Sequence, residues 1–357
     1  NTWLQTAGVN TLRPSLEIDG GIYKSITIKQ EVPLVPAGSK ELRPHRLAVG
    51  LYDISGDSLK LRKTVELDVA GEATVVAELA GEKVADLLLI NDRDLSYAKL
   101  RFDERSIATL KTHLGKLDDA LARALCWASI WDMHRDAEIS SADFLEIALN
   151  GLAGESDDAI VNIVLAQLGT SVEAYAKDSN RDAYREKLAN GLWSLTQNSA
   201  PGSDLQLLIS RAFAINAQTA EQTAKIRELL NGSAPGLKVD ADLRWYFLIA
   251  LTERGATTKA ELDAELANDN TTTGNLAFET CLAAMPNNEA KAYAFNKGLD
   301  AEVPTSVRTA LVAGFQRPIQ RTLLEPFVNL YFDNLISVWE SRSYEPAAKF
   351  VTGFYPT

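Results

Sequence analysis

Histidine, cysteine and methionine are scarce in this chain: three, two and two of 357 residues. Two of the histidines would have to share a helix face, as in His-Glu-x-x-His, to build the zinc site of a hydrolase. His45, His113 and His134 do not, so zinc hydrolysis by this stretch is excluded. Cys126 and Cys281 lie far apart in helix-like segments, which excludes a disulfide framework and a cysteine metal knuckle. Both read as small buried hydrophobes of a protein from a reducing compartment. Absent too are Gly-x-Ser-x-Gly, the phosphate-binding Gly-x-x-x-x-Gly-Lys-Ser/Thr and the dinucleotide Gly-x-Gly-x-x-Gly. No run reaches the ~18 apolar residues of a membrane span. Asn1-Thr2-Trp3-Leu4-Gln5 shows no basic region followed by an apolar one, so no signal peptide is legible.

What is present is globular: 46% apolar and 24% charged residues, with 36 basic against 48 acidic side chains, net −12. The acidity is uneven. Residues 1–103 carry 13 basic and 15 acidic groups, net −2; residues 104–357 carry 23 and 33, net −10. Such a surface repels polyanions, which argues against nucleic acid and anionic membranes as partners.

The texture changes near residue 103. Before it, Ile22–Ile28 and Leu59–Val69 alternate with period two and Arg46–Ile54 is strand-like, with tight connections at Ser55-Gly56-Asp57 and Ala70-Gly71-Glu72. Further strand-like runs are Ala73–Leu79, Asp86–Ile90 and Tyr97–Phe102. About seven strands without intervening helical pattern predict an antiparallel β-sandwich. After residue 103 the period is 3.6: Leu205, Leu208, Ile209, Ala212 and Phe213 mark one buried helix face. Ser203 with Gln206, Thr219 with Gln222, and Thr258 with Glu261 have capping-box spacing. About a dozen helices follow, and two stretches, Ala124–Trp131 and Trp245–Leu251, are apolar all round, as in the inner layer of a stacked array. Tetratricopeptide, ankyrin and leucine-rich signatures are missing. The predicted fold class is segregated α+β: an N-terminal antiparallel β-sandwich, then a large all-α superhelical domain, an irregular α-solenoid.

A search for chemistry yields no catalytic constellation. His134 has Asp132, Asp136 and Glu138 nearby, which reads better as a solvated acidic helix end than as a metal site. Cys126 and Cys281 sit in apolar contexts that raise a thiol's pKa. Trp127, Trp131, Trp245 and Trp339 stand at core spacing. One feature departs from this pattern: Arg308, Arg317 and Arg321 fall within 14 residues free of carboxylates, in the acidic part of the chain. Such a cluster suits capture of a carboxylate, for instance a peptide C-terminus; the plainer reading pairs these arginines with acids on neighbouring helices.

Several passages resemble the post-catalytic region of family M1 aminopeptidases. Trp3-Leu4-Gln5-Thr6-Ala7-Gly8-Val9-Asn10-Thr11-Leu12 is similar to the segment where the family's catalytic domain ends. Leu42-Arg43-Pro44-His45-Arg46-Leu47-Ala48-Val49-Gly50-Leu51-Tyr52 is similar to bacterial members. Asn91 to Asp103 resembles the passage into the helical domain, with Ala98, Lys99 and Phe102 replacing the second Tyr, the Arg and the last Tyr of the family pattern. Phe315-Gln316-Arg317-Pro318, Leu323-Leu324-Glu325-Pro326-Phe327 and Trp339 look like late helices of the same bacterial branch.

The resemblance implies a C-terminal, non-catalytic half of a bacterial aminopeptidase N, a zinc metallopeptidase that removes N-terminal residues from peptides. It implies a piece cut at both ends, with the zinc-binding catalytic domain upstream, and no catalytic or metal residue and no cofactor here. It also implies a linker over 1–14, a β-sandwich over 15–103 and a helical superhelix over 104–357 that covers the active site and restricts substrate access. The implied partners are its own catalytic domain and peptide substrates, in a cytoplasmic monomer. The alternative is a stand-alone solenoid scaffold with no enzymatic role.

Overall fold

The structure is a computed structural model that describes residues 2–356, with no side-chain detail for Thr2. After a short helix α1 (Thr2–Gln5) come seven strands among the described residues: β1 (Thr11–Asp19), β2 (Ile22–Glu31), β3 (His45–Ser55), β4 (Ser58–Val69), β5 (Ala73–Val75), β6 (Leu87–Ile90) and β7 (Lys99–Leu100). They form a four-stranded sheet of order β5-β2-β1-β7 and a three-stranded sheet of order β4-β3-β6. Leu12, Ile26 and Ile28 from the first and Leu47, Val49, Leu51 and Val65 from the second share one buried core. Pairing is antiparallel except between β1 and β7, which run parallel over Thr11 and Leu12. β1 carries Pro14, which hides it from a strand search. Because β7 reaches only Thr11 and Leu12, β1 has an open side from Pro14 onward, where a missing N–H forfeits no ladder bond. The stretch 1–14 expected as linker thus includes the first residues of a paired strand.

Helices follow without further strands among the described residues: α2 (Glu104–His113), α3 (Ala120–Arg135), α4 (Ser141–Leu152), α5 (Asp158–Thr170), α6 (Asp178–Asn198), α7 (Asp204–Asn216), α8 (Ala220–Leu230), α9 (Ala241–Thr252), α10 (Lys259–Asn268), α11 (Thr272–Ala284), α12 (Asn288–Leu299), α13 (Thr305–Phe315), α14 (Phe327–Ser341) and α15 (Tyr344–Gly353). Fold class is therefore as read from the sequence: a small β region, then a large helical one. The cap signals are used. Thr219 and Gln222 close a full capping box on α8, and Ser203 and Thr258 accept from the amides of Gln206 and Glu261.

By compactness the chain divides into two units, Asn1–Tyr184 and Arg185–Thr357. Secondary structure switches at residue 103, but α2–α5 belong to the same unit as the sheets. Polar contacts bind them there. Leu88 N donates to Ser106 Oγ at 3.0 Å, joining β6 to α2. Buried Arg101, just after β7, donates Nε to Glu138 Oε1 at 2.6 Å and pairs with Asp136 beyond α3. Lys99 and Arg13 complete that cluster, at 2.7 Å from Asp136 and 2.8 Å from Glu138. The acidic end of α3, expected to be solvated, is instead neutralised by cations of the β region.

In the second unit, Phe295, Phe315, Phe350 and Phe354 pack with Leu311 and Tyr331 into one core. Where α11 and α13 cross, Gly314 is required: a Cβ there would lie 2.2 Å from Thr280 O. Each helix leaves its last carbonyls without intrahelical partners, at the negative end of its dipole. Here side chains from other segments serve them. Arg254 donates to Ile215 O and Ala217 O after α7. Gln320 reaches Glu253 O and Ala284 O, past α9 and at the end of α11. Lys291 serves the ends of α11 and α13. No helix among the described residues is long and apolar enough to cross a membrane.

Candidate functional site

The three arginines have different fates. Arg308 is fully buried, and its Nε and Nη2 donate to Gly298 O (3.0 Å) and Asp300 O (2.8 Å) at the end of α12. A guanidinium so enclosed has no face to offer a ligand, so Arg308 leaves the substrate-binding set as a helix cap. Arg317 and Arg321 do come together. Pro318 breaks the chain after α13 into a short 3₁₀ turn, Pro318–Leu323, and this turn places both side chains on one small cavity of about 140 Å³. Gln316, Leu324, Thr352 and Tyr355 line it as well.

Arg317 is anchored at one edge only. Its Nε lies 2.8 Å from Glu253 Oε2, with the N–H not aimed at the carboxylate. Glu253 also pairs with Arg254, so a single buried carboxylate serves two guanidiniums. Gln316 Nε2 donates to Gly353 O at 3.2 Å and Tyr355 O at 2.8 Å, fixing the cavity wall to the end of α15. Arg321 is exposed and has no carboxylate partner among the described residues. The result is a shallow pocket with surplus positive charge, bounded by an amide, a threonine and a tyrosine. That arrangement suits a carboxylate. Sequence reading missed Gln316, Thr352 and Tyr355 as lining. The last two lie more than thirty residues away and gave no local signal.

His45 is buried, with Nδ1 2.7 Å from Ser96 Oγ and Nε2 2.8 Å from Gln30 Oε1. Burial, with help from Arg43, lowers its pKa. His134 stacks on Phe144 (4.8 Å between centroids), with Nδ1 3.0 Å from Ile139 O. Burial lowers its pKa too. His113 bonds Thr112 next to it. Among the described residues no three His, Cys, Asp or Glu side chains are grouped to hold a metal. Cys126 and Cys281 are buried thiols; burial pushes the first far up and the second to about 12. Of the tryptophans expected in the core, Trp127 and Trp245 are buried, but Trp339 is 48% exposed. It sits with Phe332 and Ile336 on a second apolar face of α14, beside that of the buried Tyr331 and Val338.

Two comparisons with known proteins bear on this chain. Residues 87–357 match the model of the ERAP1-like C-terminal domain, from β6 through the last helix. Over 362 aligned residues the chain is 42% identical to aminopeptidase N of Streptomyces lividans. That alignment takes in 99% of this chain and 42% of the relative, so the chain spans well under half of that protein's length. With three quarters of its residues inside the match and the helical region complete within it, the chain belongs to the ERAP1-like C-terminal domain family.

Proposed function

We propose that this chain is the C-terminal, non-catalytic part of a zinc-dependent M1 aminopeptidase, which removes N-terminal residues from peptides in the cytoplasm as a monomer. The observation that carries the reading is the likeness to an aminopeptidase N along almost the whole chain, together with a donor set that does not suit zinc. His45 has both ring nitrogens engaged, and His134 is enclosed by aromatic rings. Zinc and the water-activating chemistry it supplies are therefore assigned to an upstream catalytic domain, the partner of this one. The part described here would close over that active site and limit which peptides enter. It would also hold the far end of the peptide, with Arg317 and Arg321 donating to its C-terminal carboxylate.

Two experiments test the proposal. The isolated chain should release no amino acid from aminoacyl anilides; chelator-sensitive turnover at enzyme-like rates that co-purifies with it would overturn the assignment. In the enzyme carrying both parts, Arg321→Ala should raise KM for peptides of several residues about tenfold, the loss of one charge-assisted contact of about 1.5 kcal/mol. KM for single-residue anilides should not change, because those substrates do not reach the pocket. Equal effects on both substrate classes would remove Arg321 from peptide binding.

A further inference from the structure

A second cavity, of about 340 Å³, lies in the first unit between β3, β4 and the start of α3. Asp92, just after β6, forms part of its wall and is only 6% exposed. One carboxylate oxygen, Oδ1, accepts the Tyr52 hydroxyl. The other, Oδ2, has no donor among the described residues, and Asp92 lines the cavity. Arg93 next to it turns to Glu66, at 2.9 Å. A carboxylate this enclosed is costly unless a cation or several donors answer it. Burial raises the pKa of Asp92, and Asp119 adds to the rise.

The surrounding sequence makes room for that carboxylate. Gly50, in the middle of β3, is the only residue type that fits: a Cβ would fall 2.7 Å from Asp92 Cγ and 2.8 Å from Oδ2. Glycine in a strand interior weakens the strand, so the carboxylate is kept there against a conformational cost. Asp118 and Asp119 add negative charge at the cavity, while Leu59, Leu61 and Leu121 give it apolar walls. Lys60, also on the wall, is more than half exposed and pairs with Asp118 at 4.0 Å, not with Asp92. Its volume lies at the small end of the ~300–1,000 Å³ typical of ligand sites.

We propose that this cavity binds an alkyl cation, an ammonium or guanidinium on a short aliphatic stem. Asp92 Oδ2 receives the charged donor, Asp119 and Asp118 attract it, and the three leucines pack the stem. The ligand chemistry is that of a free alkylamine or of a lysine side chain presented by another polypeptide.

The test is a titration of the intact chain with n-butylammonium and with the blocked peptide acetyl-Gly-Lys-Gly-amide, followed by amide chemical shifts. Saturable shifts confined to Leu59–Leu61, Asn91–Arg93 and Asp118–Leu121 are expected, with n-butanol giving none. Asp92→Asn keeps an acceptor for Tyr52 and should weaken binding at least tenfold. Asp119→Asn, which still caps α3, should weaken it two- to threefold and serves if the first variant fails to fold. Tighter binding of the peptide marks a polypeptide ligand, and equal binding a free amine. Unsaturable shifts spread over the acidic surface, or equal affinity in wild type and both variants, would overturn the proposal.

Discussion

Replacing Glu155 by alanine should cost the first unit about 3–5 kcal/mol, the range for breaking a buried ion pair from one side. The Glu155 side chain is fully enclosed in the link between α4 and α5. Its carboxylate accepts from Arg123 Nε (3.0 Å), from Trp127 Nε1 (2.9 Å) and from the amides of Ser156 and Asp157. Arg123 uses Nη1 on Leu117 O, so this one carboxylate ties α3, the turn before it and the start of α5. Burial opposes its ionisation, yet the donors from Arg123, Trp127 and the two amides prevail and hold its pKa below the ordinary glutamate value. A depressed carboxylate pKa contributes stability that is full above the unfolded value and is lost as pH falls through the folded one. Alanine leaves Arg123 buried without its counter-charge. Glu155→Gln keeps an acceptor and should cost less, about 1.5–3 kcal/mol. Urea midpoints at pH 7 would measure both, and an alanine variant within 1 kcal/mol of wild type would contradict the assignment.

Lys291→Met in the second unit should cost about 2–4 kcal/mol, although the side chains are of similar length. Lys291 is fully buried, and its ammonium donates to Ala283 O (2.9 Å), Gly314 O (3.0 Å) and Phe315 O (3.2 Å). Three protons thus meet three carbonyls at the negative ends of α11 and α13, and methionine strands all three. Amide exchange at the ends of α11 and α13 should quicken in the variant more than elsewhere. Burial, then repulsion from Arg317, lowers the Lys291 pKa to about 7, with Glu253 opposing. The folded state then binds fewer protons than the unfolded chain between about pH 7 and the ordinary lysine value of 10.5. Stability from this group therefore rises with pH across that window, by about 1 kcal/mol from pH 7 to pH 8. The variant should lose this rise. A rise retained in full by Lys291→Met would assign it to another group.

Much of the architecture is written in local pattern. The change from period two to period 3.6 marks where strands give way to helices, since side-chain period follows directly from backbone geometry. Thr219-x-x-Gln222 caps α8 as its spacing requires, because both partners lie within one turn. The lack of His-Glu-x-x-His excludes that zinc site without any structure, because its two histidines must sit one helical turn apart.

Side-chain fate was decided elsewhere. Ile22–Ile28 reads as a clean alternation, yet a bulge at Lys24 shifts the register, so Tyr23 and Ile26 both face inward and Ile22 outward. That bulge is set by pairing with β1, a strand that Pro14 conceals. Trp339 has core spacing on α14 but faces outward, because period alone cannot say which of two apolar faces finds a neighbour. Arg308, Arg317 and Arg321 are equivalent in sequence: three arginines in a stretch free of acids. Arg308 meets the carbonyls ending α12, Arg317 meets Glu253 from sixty-four residues earlier, and Arg321 meets solvent. A guanidinium takes its role from whichever acceptors surround it, and those are delivered by segments distant in the chain. The sequence by itself determined the elements, their order and the absence of that zinc motif. Only the tertiary structure chose which charged groups became struts of the fold and which stayed exposed, because the partners come from segments distant in the chain.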